Sequence, residues 1–376
     1  MEETKTYTFK NICSKIGSGA TPTGGKEAYK GGDIALIRSQ NVLDFFLSKE
    51  GLAYINEGQA QKLDNVSIQE NDVLLNITGD SVARVCLASS WVLPARVNQH
   101  VAIIRGKTDM VLNRYLLYYL QYRKPYLLSL SQGGATRNAL TKKMIEDIEI
   151  PLPSVPYQEK VVSILSTLDK KIELNRRIND NLEQQAQALF KAWFVDNAVI
   201  GDASVSDYFI PLRGKNLLTS DAKGGEVPVV AGGLTPSAYH NVANTKAPVI
   251  TISASGANAG YVNLWGIPVW SADSSYIDSS ITPHIYFWYN LLKFSQKNIF
   301  DSQTGSAQPH IYPKHIGDIR IPDLDLDKVA DYNKIVTPIY EQITNTKKIN
   351  AQLAETRDTL LPKLMSGELK IGKVEM

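Results

Sequence analysis

From Gln158 onward, apolar residues recur at three- and four-residue intervals: Leu165, Leu168, Ile172, Leu182, Leu189 and Trp193, with Asn175, Asn179 and Ala186 at the remaining positions of the same stripe. The spacing predicts a helix, and its persistence over about four heptads is the a/d seam of a coiled coil. A second stretch repeats the stripe at Val336, Ile339, Ile343, Thr346, Asn350, Leu353, Arg357, Leu360 and Leu364, each lying 171 residues beyond its counterpart (336−165 = 171; 364−193 = 171). Asn stands at the same seam position in both, 179 and 350. A buried Asn lowers stability unless it finds a partner, and its best-attested use is to fix register. The matched seams therefore predict that the two helices pack on each other, antiparallel. Leu168, Ile172, Asn179, Leu182 and Leu189 would face Ile339, Ile343, Asn350, Leu353 and Leu360.

Upstream of each helix the period shortens. Ile34–Arg38, Val73–Ile77, Ala83–Leu87 and Gln99–Ile104 are β-branched runs bounded by turn residues and predict strands; Tyr115–Tyr122 predicts a helix. In the second half Val249–Ser253 and Gly260–Leu264 predict strands, and Tyr286–Leu292 a helix. Proline interrupts regular structure in Ile150-Pro-Leu-Pro-Ser-Val-Pro156 and again at Pro322. The chain thus predicts an α+β protein of two domains, 1–153 and 197–323, each of mixed, mostly antiparallel sheet plus helices. A long antiparallel two-helix coiled coil, 154–196 with 324–376 and its tail, separates them.

The repeat extends beyond the helices. Gly134–Pro151 reads GATRNALTKKMIEDIEIP and Gly305–Pro322 reads GSAQPHIYPKHIGDIRIP, again 171 apart. Further upstream the match weakens. Aligning Tyr7–Ile12 with Tyr208–Arg213 gives an offset of 201, a second domain shorter by 201−171 = 30 residues. A helix over 168–193 is roughly 26 residues or about 39 Å long, close to one turn of B-DNA at about 34–36 Å. Domains at the ends of such a pair could read two half-sites on one face of a duplex.

Composition narrows the compartment and the chemistry. No apolar run is long enough to span a bilayer and MEETKTYTFK has no secretory pattern, so a cytoplasmic protein is expected. Cys13 and Cys86 lie far apart and outside any metal-ligand spacing, which predicts two ordinary thiols. A net charge of +2 is low for a nucleic-acid binder, so basic residues must cluster or a partner must supply phosphate contacts.

Enzyme signatures fail one by one. GSGATPTGGK lacks the first P-loop glycine, with Ala20 in its place, and Glu27 stands where the magnesium-binding hydroxyl belongs. The acidic run at Asp323, Asp325 and Asp327 lacks the carboxylate a nuclease would need two residues before Lys328 and suits a helix N-terminus instead. No Asn-Pro-Pro-aromatic or Asp-Pro-Pro-aromatic methyltransferase sequence occurs, and the five histidines show no metal spacing. No catalytic residue, metal site or cofactor is predicted in this chain.

Polar, glycine-rich loops remain. Arg reads guanine and Asn or Gln reads adenine because each pairing is bidentate, while hydroxyls and glycine amides suit phosphates. On this chemistry the candidate DNA-binding residues of the first domain are Ser18, Thr21, Thr23, Arg38, Gln40, Asn41, Thr78, Arg84, Arg96, Asn98, Gln99, Gly134, Thr136 and Arg137. Those of the second are Gly233, Thr235, Ser253, Ser255, Asn258, Gln303, Thr304, Ser306, Gln308 and His310. Such loops also serve simply as turns; the recurrence of the 133–137 loop at 305–310 raises that one above the rest. The second domain offers few arginines in these loops, which leaves its means of reading open.

Over essentially its whole length the chain resembles the specificity subunit of type I restriction–modification systems. GSGATPTGG, DVLLNITGD followed by NQHVAIIR, GGATRNALTKKMIEDIEIPLP leading into QEKVVSILSTLDKKIELNRRI, TGSAQPHIYPKHIGDIRIP and LLPKLMSGEL carry the resemblance. It implies a non-catalytic DNA reader in which two target-recognition domains each bind half of a bipartite double-stranded sequence and paired helices set the gap. It further implies docking of two DNA adenine methyltransferase subunits and recruitment of restriction subunits. S-adenosylmethionine would belong to the methyltransferase and ATP with magnesium to the restriction subunit. The alternative is a duplicated-domain protein-interaction adaptor that reads no DNA.

Overall fold

The computed structural model describes residues 4–22, 29–132, 138–196, 201–305 and 308–369. The chain is a mixed α+β protein that divides into two compact units: Met1–Ile172 with Gln352–Met376, and Glu173–Ala351. Both divisions fall inside a long helix. These helices, Val155–Phe194 and Leu326–Met365, are 40 residues each, about 60 Å at the α-helical rise and longer than the 168–193 stretch alone. Pro156 does not delay the first helix, because the first turn has no intrahelical partner for its missing N–H. The second starts behind Asp325, whose Oδ1 accepts the Asp327 and Lys328 amides at 3.0 and 3.2 Å. The acidic run is a helix cap, as its position suggests.

In the first unit a four-stranded antiparallel sheet runs Cys13–Ser18, Val101–Gly106, Val73–Asn76, Val85–Leu87. Three of its strands, Val101–Gly106, Val73–Asn76 and Val85–Leu87, are apolar on both faces because both are covered. Val73, Leu75, Val85, Ala102 and Ile104 face a core with Phe9, Ile12 and the helix Asn113–Tyr122. Leu74, Cys86, Val101 and Ile103 face a three-stranded sheet, Ala53–Ile55, Ile34–Ile37, Ala95–Val97. The two-residue alternation of strand side chains assigns each residue to its face. Cys13 and Cys86 are buried free thiols, and burial pushes the Cys13 thiol up to about 12.

The second unit has the same order of strands. Its four-stranded sheet runs Leu212–Arg213, Ser274–Asp278, Val249–Ser253, Val262–Trp265, and its three-stranded sheet Ala238–His240, Val227–Val230, Trp270–Ser271. In both small sheets the middle strand has one antiparallel and one parallel neighbour. The upstream halves that diverge in sequence are therefore one topology. Strand pairing also corrects the offset of 201. Thr8 lies opposite Glu149 and Ser204 opposite Arg320, which is Glu149 plus 171. The equivalence is 204−8 = 196, and the shortfall is 196−171 = 25. Much of it lies before the third sheet strand, where 73−37 = 36 residue steps in the first unit become 249−230 = 19 in the second.

Within each unit the two helices pack antiparallel. In the first, Arg357 Nη1 bonds Asp169 Oδ1 at 3.1 Å while Val161 and Leu165 share a core with Leu361 and Leu364. In the second, Asn175 bonds Asn350 and the Tyr332 hydroxyl donates to Ala186 O at 2.9 Å. Ile172, Asn179 and Ile343 are buried, and Leu168, Leu182, Leu189, Ile339, Asn350, Leu353 and Leu360 half-buried. Phe190, outside the predicted seam, is a core residue ringed by Phe194, Phe287 and Tyr332.

Strand edges shift where turns intervene. Ala83 and Gly260 sit before, not inside, the strands beginning at Val85 and Val262, each with a left-handed backbone (φ 67° and 85°). Gln99 and His100 likewise precede the strand Val101–Gly106.

Candidate nucleic-acid interface

In the first unit the end of strand Val73–Asn76 opens into a turn, Ile77–Ala83, that holds two other segments. Ile77 N donates to His100 O (3.0 Å), Leu140 N to Ile77 O (2.8 Å) and Gly79 N to Asn138 O (3.2 Å). Gly19 N donates to Asn98 O at 3.1 Å, and an added Cβ on Gly19 would lie 1.7 Å from Val97 O, so only glycine allows the approach. A chain of polar side chains crosses this surface. The Thr21 hydroxyl donates to Gln99 Oε1; Gln99 Nε2 lies 3.0 Å from His100 Nε2; and His100 Nδ1 lies 2.5 Å from Thr78 Oγ1. A ring nitrogen that accepts from Gln99 leaves Nδ1 as the donor toward Thr78.

The second unit builds the same frame from different residues. Ala254 N donates to Asp273 O (3.1 Å), Ile311 N to Ala254 O (2.9 Å) and Gly256 N to Pro309 O (3.0 Å). Both turns close alike: Val82 N to Gly79 O and Ala259 N to Gly256 O, each at 3.0 Å. Residues 76–83 (NITGDSVA) therefore correspond to 253–260 (SASGANAG), a match the two sequences barely suggest. Thr78 becomes Ser255 and His100 becomes Asp273, and the contact is kept: the Ser255 hydroxyl donates to Asp273 Oδ2. Arg213 Nη2 reaches the other carboxylate oxygen, Oδ1, at 2.7 Å. Asn258 Nδ2 donates to Gly232 O at 3.3 Å, and His310 bridges both Ser255 and Thr304.

Two surfaces of one backbone design thus carry different hydrogen-bonding groups. Residues 1–184 match the family described as type I restriction modification DNA specificity domain. Across 96% of this chain and 92% of the relative, the sequence is 26% identical to the type I restriction enzyme MjaIX specificity subunit of Methanocaldococcus jannaschii. Residues 1–184 thus carry that DNA specificity domain, and the likeness to type I specificity subunits runs through nearly the whole chain. It is also 29% identical, over 50% of its length and 42% of the relative's, to the HindI specificity subunit of Haemophilus influenzae. The fold is shared with the crystal structure of a type I S subunit from M. genitalium, at 19% identity and a TM-score of 0.52, with 96% of both chains covered.

In this specificity-subunit fold the sequence candidates separate into groups. Thr21, Thr78, Asn98, Gln99 and, across the same strand pairing, Ser18 gather at the first frame. Asn98 is buried, its Oδ1 accepting the His100 amide. Arg38, Gln40 and Asn41 form a turn tied to the frame by Asn76 Nδ2 to Ser39 O (2.9 Å) and Asn98 N to Ile37 O (3.1 Å). Buried Asn41 braces that turn through the Ser48 and Glu50 carbonyls, while the Arg38 and Gln40 side chains both donate to Gly51 O. Arg84 follows the turn and makes no hydrogen bond or ion pair through its side chain among the described residues. Arg96 is placed elsewhere, bonded to Asp64 and Ala60 O.

At the second frame Ser253 is buried with its hydroxyl toward Ala231 O, and Gln303 is held by Ala259 O at 2.8 Å. Ser255, Asn258, Thr304, Gln308 and His310 lie at the turn and the segment bridging it, and Gly233 and Thr235 are exposed in the turn after Gly232. Thr23, Gly134, Thr136, Arg137 and Ser306 lie outside the described residues. None of His100, Asp273 and Arg213 stands out in the sequence. Only the equivalence of the two frames singles them out.

Among the described residues no helix is long and apolar enough to cross a membrane, and no cluster of three His, Cys, Asp or Glu is placed to hold a metal.

Proposed function

We propose that this chain is the sequence-reading subunit of a type I restriction–modification complex, with each unit's loop frame binding one half of a bipartite DNA duplex. The observation that carries this reading is the duplicated frame: identical backbone hydrogen bonds presenting Thr78 and His100 in one copy and Ser255 and Asp273 in the other. One scaffold with two sets of donors and acceptors suits a target whose halves differ. The long helices set the spacing between half-sites and dock two adenine methyltransferase subunits. Those partners bring S-adenosylmethionine, a restriction subunit brings ATP and magnesium, and this chain supplies no catalytic group. A low net charge of +2 fits a reader whose partners share the phosphate contacts.

The test is to express the full chain with a cognate adenine methyltransferase subunit and map methylated adenines across a genome. A split motif of two defined halves around a fixed gap is expected. Inserting one heptad in both helices should change the gap and leave the halves intact. Methylation without a split motif, or a complex with no sequence preference for duplex DNA, defeats the reading and favours the adaptor.

A further inference from the structure

The second unit carries few arginines in its sequence-predicted loops, yet its frame contains one. Strand pairing places it. Arg213 lies opposite Ser275 and Ser18 opposite Ala102; Ser275 lies opposite Ile252 and Ala102 opposite Leu75. Arg213 therefore holds the position of Ser18 in the first unit, directly before a glycine in each, Gly214 and Gly19. An added Cβ on Gly214 would lie 2.5 Å from Ala272 O, so the strand end is pressed against the connection that carries Asp273, as Gly19 is pressed against Val97.

We infer that Arg213 is a specificity-determining residue of the second unit, reading a guanine in its DNA half-site, with Asp273 as its positioning residue. This rests on the DNA-reading function proposed above. Asp273 is occupied on both oxygens, by Arg213 Nη2 and by the Ser255 hydroxyl, so the carboxylate cannot swing away. It engages one guanidinium nitrogen. The remaining N–H groups of Arg213 have no partner among the described residues, and the side chain is 43% exposed. An exposed Arg–Asp pair adds little stability, but it restricts a flexible side chain to one direction. A guanidinium held that way presents the planar fork that matches guanine O6 and N7. The first unit has Ser18 and His100 at these positions and cannot make the same contact, which accounts for two unlike half-sites on one scaffold.

The experiment compares adenine-methylation motifs from the full chain with its methyltransferase for the wild type, R213K, R213A and D273N. The wild type is expected to show a G·C pair in the half-site read by the second unit. R213A and R213K should lose preference for that pair by on the order of tenfold or more, and D273N should relax the same position less. The other half-site, unchanged within the same motif, reports that the complex still folds and assembles. An unaltered motif in R213A overturns the inference. So does a uniform drop in methylation at all sites, which marks a phosphate contact. A wild-type complex with no split motif sinks the DNA-reading function itself, a result distinct from either of these.

Discussion

Asn175 Nδ2 donates a 2.7 Å hydrogen bond to Asn350 Oδ1 between the two long helices of the second unit. The 171-residue repeat relates Asn350 to Asn179 and Asn175 to Thr346. The related site therefore sets Asn179 against a threonine position, and Asn179 Oδ1 is buried with no hydrogen-bond partner among the described residues. The seam predicts that the two matched asparagines are alike, but only Asn350 receives the amide bond.

Substituting these two residues should give opposite results. Asn350→Leu strands the Asn175 amide in the seam and should cost about 1–3 kcal/mol. Asn179→Leu removes an oxygen that already lacks a partner and should be neutral or stabilising. Thermal and denaturant unfolding of the full chain checks both, and equal losses would show that Asn179 has a partner in solution.

The first unit holds its helices by charge. Arg357 and Asp169 are 9% and 13% exposed in their side chains, and the Tyr118 hydroxyl donates to the same carboxylate at 2.6 Å. Desolvating two charges cancels much of their attraction, but removing Asp169 leaves the buried Arg357 guanidinium with only the exposed Asp358 carboxylate at 2.8 Å and the Tyr118 hydroxyl without its acceptor. Asp169→Leu should therefore destabilise by about 3–5 kcal/mol, and adding Arg357→Met should recover a large part of that loss. A double variant no better than the single one would contradict a desolvation-dominated pair.

Alkaline pH should loosen both units. Burial, reinforced by Asp169, pushes the Tyr118 phenol above its ordinary value of 10.0. Burial likewise raises Tyr332 and Tyr340, and burial with Glu183 raises Tyr289. The unfolded chain releases these protons near pH 10 while the folded chain keeps them. Stability is thus unaffected below that pH and falls as pH rises beyond it. Unfolding followed with tyrosinate absorbance should show this slope, and Tyr118→Phe should flatten it.

Ala83 and Gly260 occupy the same turn position with positive φ, 67° and 85°. At Gly260 an added Cβ would also lie 2.8 Å from Ile299 Cγ2. Gly260→Ala should cost at least about 1 kcal/mol in backbone strain and crowding. Ala83→Gly relieves strain while giving up one buried methyl, and should change stability by no more than about 0.5 kcal/mol. Melting of the two variants side by side tests the asymmetry.

Some of this protein is written locally. The heptads from Leu165 and from Val336 are legible because a helix brings residues three and four apart onto one face, whatever lies around it. The strands Val73–Asn76 and Val249–Ser253 are legible as short β-branched runs for a similar reason. The connectors at 134–151 and 305–322 announce the duplication because their sequences still agree. Other relationships depend on backbone bonds between distant segments, which carry no local pattern. The offset of 196 is set by the pairing of Thr8 with Glu149 and of Ser204 with Arg320, and NITGDSVA matches SASGANAG only through shared hydrogen bonds. Arg213 reaches Asp273 across sixty positions, and neither residue type nor spacing foretells it. The sequence by itself determined two helices with matched seams and two sheet-bearing modules. Tertiary structure alone decided which side chains share each frame and which seam asparagine is satisfied, because such partners are chosen by the packing of segments far apart in the chain.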